Sequence, residues 1–198
     1  MSDYSLDARA REVLDFWFGA PDSAEYGRKR KMWFKKDAAF DALLRERFGA
    51  LLDAACAGEL DAWCATPEGA LALVIVLDQF SRNCHRDTPR AFAADERALA
   101  IARAMVANGA DLRLPTVEHR AFAYLPFEHA ESAEAQRESL RLFGELAKDP
   151  QAKGYFDYAQ RHAEVIARFG RFPHRNAQLG RESSEAETAF LLQPGSRF

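Results

Sequence analysis

Thr66-Pro67-Glu68-Gly69-Ala70-Leu71-Ala72-Leu73-Val74-Ile75-Val76-Leu77-Asp78-Gln79-Phe80-Ser81-Arg82-Asn83 is the stretch whose reading settles the fold class. Val74, Ile75 and Val76 would suit a strand. Three features favour a helix. Thr66 can cap and Pro67 can occupy the first helical position. The pattern continues through Asp78, Gln79 and Phe80, and no partner strand occurs elsewhere. A helix apolar on nearly every side belongs at the centre of a domain. Asp78 and Arg82 are four residues apart and can pair on one face, as can Gln79 and Asn83.

The same 3.6-residue period runs outward in both directions. A first helix is expected from about Leu6 to Phe18, with Gly19 and Pro21 as stop signals. A charged stretch, 28–31, leads into Met32-Trp33-Phe34. Asp37 reads as the cap of a longer helix whose apolar face includes Phe40, Leu43, Leu44, Phe48 and Leu51, closed by Gly58. Towards the carboxyl end, a helix spans roughly Arg90 to Ala107 behind Thr88-Pro89. Another follows Thr116, and Pro126 is expected to break or kink it near Leu125. Helices to about Ala147 and from Gln151 to Phe169 follow. Ser184 and Glu187 have capping-box spacing at the start of the last one. The fold expected is all-α. It has eight or nine helices in antiparallel pairs, either a tetratricopeptide-like array or an irregular bundle, since no clean 34-residue repeat separates the two.

The 198 residues (22.2 kDa) would bury roughly 70% of their extended surface, enough for a single helical domain over 1–198. Lys and Arg number 27 against 30 Asp and Glu, a net charge of −3, which argues against a nucleic-acid partner with a large phosphate footprint. The longest apolar run, Ala70 to Leu77, is too short for a membrane span, and the polar amino terminus lacks signal-peptide order, so a soluble cytoplasmic protein is expected. Cys56, Cys64 and Cys84 lack C-x-x-C spacing and read as buried or partly buried thiols. No metal site and no cofactor are expected, and a homodimer stays open.

Three segments place polar residues where packing alone would not. The first is 77–83, which supplies Gln79, Arg82 and Asn83 as ligand-binding candidates. The second is Tyr124-Leu125-Pro126-Phe127-Glu128-His129, where Glu128 and His129 are candidates for acid–base work, with His162 and His174. The third is Arg168-Phe169-Gly170-Arg171-Phe172-Pro173-His174-Arg175-Asn176. There Arg168, Arg171, Arg175 and Asn176 could form an anion site, because guanidinium forks match carboxylate and phosphate oxygens. If the arginines diverge, they are a solvated loop over the core.

These segments, with Val13-Leu14-Asp15-Phe16-Trp17-Phe18-Gly19 and Trp33-Phe34, resemble in order and over nearly the whole chain the bacterial domain-of-unknown-function family 924. The resemblance implies an all-helical fold related to the tetratricopeptide-like superfamily. It implies no reaction, cofactor or catalytic residue. One departure is Ser81, where the family commonly has proline. The functional expectation is a small anionic ligand or acidic peptide held in a polar cleft. The alternative is a metal-independent hydrolase or lyase using Glu/His acid–base chemistry with arginine anion binding. A plainer option is that the polar motifs hold the fold together.

Overall fold

The computed structural model describes residues 5–196 and, among them, contains helices and no strand. In chain order the α-helices are α1 (Ala8–Phe18), α2 (Ala38–Ala57), α3 (Pro67–Val74), α4 (Ser81–Cys84), α5 (Asp95–Ala107), α6 (Val117–His129), α7 (Ala133–Leu146), α8 (Lys153–Phe169) and α9 (Glu185–Leu191). A π-helical turn, Ile75–Phe80, joins α3 to α4 without interruption.

Local chemistry sets the ends. The Asp37 carboxylate accepts from the backbone N–H groups of Ala39 and Phe40, and Gly58, at φ +89°, closes α2. Thr66 accepts from Gly69 N–H at the start of α3. A Cβ on Gly69 would sit 2.2 Å from the Trp63 carbonyl oxygen, so no side chain fits there without displacing backbone. Ser184 and Glu187 complete a capping box for α9.

The rod formed by α3, the π turn and α4 is buried from Gly69 to Ser81 and is the axis of the core. It packs against α1, α2, α5 and α6. An aromatic block closes one side. Trp33 Nε1 donates to the Trp17 carbonyl at 2.9 Å, and Phe122 meets Trp17, Phe18 and Trp33 edge-on at 5.7, 5.5 and 4.7 Å. One hydrophobic cluster runs from Ala10 to Ala159, and a small satellite of Val165, Ile166 and Phe172 lies under the carboxyl-terminal segment. No helix among the described residues is long and apolar enough to cross a membrane.

Four local expectations are corrected. Pro126 does not end its helix: α6 runs through it to His129, and the chain turns only at 130–132. Burial of ten residues of α6 outweighs the local proline penalty. The segment behind Thr88 is two pieces, a 3₁₀ turn Pro89–Phe92 and α5. Cys56 and Cys64 are exposed, and only Cys84 is buried. Leu43 is 45% exposed and off the core face of α2.

Because Phe122 is fully enclosed by three aromatic neighbours, Phe122→Ala should cost about 3–5 kcal/mol of stability through the cavity it leaves. Urea denaturation monitored by tryptophan fluorescence checks this.

Candidate functional site

The π turn delivers a carboxylate into the apolar centre. Asp78 is 1% exposed. Gln79 Nε2 donates to its Oδ2 at 2.6 Å. Arg82 Nη1 donates to the Asp78 carbonyl at 2.8 Å and lies 3.0 Å from Oδ1. His129, from the end of α6, donates from Nδ1 to Oδ1 at 2.8 Å, since a carboxylate can only accept. Burial pulls the Asp78 carboxyl upward, but the Arg82 charge and the hydrogen bonds from His129 and Gln79 outweigh it and hold the carboxyl well below the usual carboxylate range. π turns recur at functional sites because they interrupt the regular ladder.

Arg82 extends the network. Its fork grips both oxygens of Asp95, at 2.8 and 3.0 Å, on the first turn of α5. Arg175 reaches the same Asp95 at 3.3 Å and donates to the His129 carbonyl at 2.9 Å. Its guanidinium lies between the rings of Phe92 and Phe172, each 4.6 Å away. Burial, with Arg82 nearby, pushes Arg175 down to about 10, and its buried Nε has no acceptor.

Behind His129 lies a second acid. Glu128 Oε1 is 3.2 Å from His162 Nδ1, which donates to the Tyr158 carbonyl at 2.9 Å. Glu128 Oε2 is buried without a partner. Burial first, and then the Asp78 charge, raise Glu128 to about 8, so it keeps its proton at neutral pH. Burial also lowers both His129 and His162, leaving neutral imidazoles 6.2 Å apart. His174 packs 5.7 Å from Phe172 and is pushed down to about 3 by burial. The side chains of His129, Arg82 and Asp95 keep 15%, 19% and 19% exposure, so they form the rim through which solvent meets the group.

Gln79, Arg82, Glu128, His129, His162 and Arg175 therefore come together. The remaining candidates serve elsewhere. Asn83 and Arg86 share the Asp41 carboxylate and tie α4 to α2. Asn83 does not pair with Gln79 across the turn: the Gln79 amide donates to Asp78 and the Asn83 amide to Asp41. Arg168 covers Phe169 and Phe190. Arg171 clamps Glu187 at 2.7 and 2.8 Å. Asn176 bonds Ser183 and Arg181, whose fork also holds Glu131. The arginine segment thus divides: Arg175 turns inward, and Arg168 and Arg171 support α9. Asp95 and Phe92 were not singled out from the sequence. Asp95 looks like an ordinary acid in a first helical turn, and nothing local reveals the arginines it joins.

Among the described residues, no three histidine, cysteine or carboxylate side chains converge in a way that could hold a metal ion. A surface hollow of about 400 Å³, lined by Ala70, Arg97, Ile101, Ala104 and Met105 among others, includes none of the group.

The family model for bacterial proteins of unknown function, DUF924, matches residues 13–195. No curated protein matches the chain. A solved structure of a protein of unknown function, ATU0120 from Agrobacterium tumefaciens, is similar at 38% identity. The similarity covers 93% of this chain and 97% of that one, with a TM-score of 0.80.

Two stability predictions follow from the network. Arg82→Ala strands Asp78 in the core and should cost about 3–5 kcal/mol, whereas Arg171→Ala, on a more exposed clamp, should cost far less; chemical denaturation ranks the two. Glu128 holds its proton up to about pH 8 when folded but only to about 4.5 when unfolded. Its contribution is complete below pH 4.5 and is lost as pH rises to about 8. Glu128→Gln should flatten that decline and be more stable than wild type at pH 8 by on the order of 2 kcal/mol, as measured by melts across pH.

Proposed function

Because the chain belongs to the bacterial family of unknown function DUF924, its chemistry has to be read from its own side chains, and we propose that it is an acid–base enzyme acting on a small molecule at the His129 rim. The observation that carries this reading is the contact between Asp78 and His129 at the π turn. With Nδ1–H committed to Asp78, the lone pair of His129 is on Nε2, and burial keeps the ring neutral. That is the state a general base needs. Nε2 would accept a proton from water in a hydrolysis, or from carbon in an elimination. Asp78 orients the ring and would steady the imidazolium as it forms. Glu128, being protonated, adds no second negative charge beside it.

Simple binding of a small anion is the second reading, favoured by Arg175. Its guanidinium is buried, shares Asp95 with Arg82 and has one N–H without an acceptor. A carboxylate or phosphate at the rim would offset that desolvation. Against it, Asp78 and Asp95 already face the two arginines, so the pair offers little free positive charge. The acid–base reading needs no such excess.

Incubation with a metabolite extract, followed by mass spectrometry, tests the assignment. Wild type should consume at least one species. His129→Gln should slow that consumption about 10²–10⁴-fold while the melt stays cooperative. The wild-type rate should fall as pH drops and His129 gains its second proton. Consumption unaffected by His129→Gln, or none by wild type, rejects the enzyme reading. An anion-induced thermal shift that survives His129→Gln and disappears in Arg175→Ala would then favour simple binding.

A further inference from the structure

Arg28-Lys29-Arg30-Lys31-Met32-Trp33-Phe34-Lys35-Lys36, in the connection between α1 and α2, places six cations in nine residues without an acid, in a chain whose net charge is −3. Two of the six are in ion pairs. Arg30 donates to the carbonyls of Phe16 and Trp17 and lies 2.8 Å from Glu25. Lys36 lies 3.7 Å from Asp87. Arg28, Lys29, Lys31 and Lys35 are exposed, with no ion pair among the described residues.

These cations surround an exposed ring. Phe34 is 66% exposed beside the buried Trp33, whose bond to the Trp17 carbonyl anchors the turn. Lys31 and Phe34 are three apart on a 3₁₀ turn, closed by Phe34 N–H donating to the Lys31 carbonyl, and such residues eclipse one another. Lys29 Nζ is 4.5 Å from the Tyr155 ring centroid, and the Phe34 ring is 6.5 Å from the same ring. Lys29, Lys31 and Phe34 therefore share a side. Next to them a hollow of about 410 Å³ is lined by Arg28, Lys29, Arg30, Lys31 and Met32 with Ala24 and Glu25.

We propose that this segment binds single-stranded nucleic acid, its unpaired cations taking consecutive phosphates and Phe34 stacking on an unpaired base. The chain's overall acidity does not forbid this, because charges beyond about 8–10 Å are screened at physiological salt. A duplex fits less well, since its bases are already stacked and leave the ring nothing to cover. An anionic membrane also fits less well: the surface is concave, and a single phenylalanine is the only strongly exposed apolar side chain in the segment.

Fluorescence anisotropy with a labelled oligo-uridine or oligo-thymidine single strand, the matching duplex, and phosphatidylserine vesicles tests the proposal. The single strand should bind more tightly than the duplex. Its log affinity should fall with log salt at a slope of about −2 to −3, given about −0.7 per phosphate on a single strand. Phe34→Ala should weaken binding about ten-fold, the scale of one lost base stack, with little change in that slope. The double variant Lys29→Glu with Lys31→Glu should lower both affinity and slope, and Arg141→Ala, on an exposed pair of α7 outside the segment, should change neither. All these side chains are exposed, and matching melts will confirm folded variants. No single-strand binding at low salt, equal binding of duplex, indifference to both Phe34→Ala and the double variant, or binding to vesicles alone overturns the proposal. It shares no residue with the Asp78–His129 group, so either assignment can fail alone.

Discussion

A carboxylate in the middle of a hydrocarbon core has to be answered at once, and in this protein Asp78 is that carboxylate. Leaving an ion of this kind unpartnered in the interior costs several kcal/mol. The answer comes from separate parts of the chain: Gln79 and Arg82 from the same rod, and His129 from α6. Arg82 then requires Asp95, and Asp95 receives Arg175 from beyond α8. Each partner is itself buried or nearly so, and therefore needs its own partner. The positions of α5, α6 and the turn Pro173–Arg175 are thereby tied to one oxygen pair on the central rod.

The charges within this group nearly cancel. Two arginines face two aspartates, and Glu128 is neutral because it is buried, with the negative charge of Asp78 nearby adding to the effect. The histidines are neutral because burial disfavours a proton on them. Such an interior is stable without a bound ion, which is why converging arginines by themselves say little about an anionic ligand. What remains distinctive is a histidine with one nitrogen committed and a side chain that still meets solvent at the rim. A purely structural network could have used a buried asparagine or a hydrophobic pair at lower desolvation cost.

Helical architecture was largely legible from local features. Asp37, Thr66 with Pro67, Thr116 and Ser184 each cap the helix expected of them, because a cap is a bond between near neighbours. The Asp78–Arg82 pair was legible for the same reason: four residues span one helical turn. Pro126 misled because its local penalty is small beside the burial gained by keeping α6 intact to His129. Gln79 and Asn83 misled because each amide is taken by a carboxylate, Asp78 for Gln79 and Asp41 of α2 for Asn83, and the second of these lies far off in sequence. The inward course of Arg175 and the outward course of Arg171 were illegible, since two arginines in one loop differ only in which acids wait nearby.

Periodicity, caps and the apolar run at 70–77 therefore determined that this chain is helical, where most helices begin, and that the rod bearing Asp78 lies at its centre. Only the tertiary structure decided that His129, Asp95 and Arg175 converge on that rod, and that Arg168 and Arg171 do not. The reason is one of range. Backbone hydrogen bonds and capping act over a few residues and leave their mark in local spacing. Hydrogen bonding by the buried Arg175 acts across 46 to 80 residues here, to the His129 carbonyl and the Asp95 carboxylate, and no local pattern records which partners the packing will bring together.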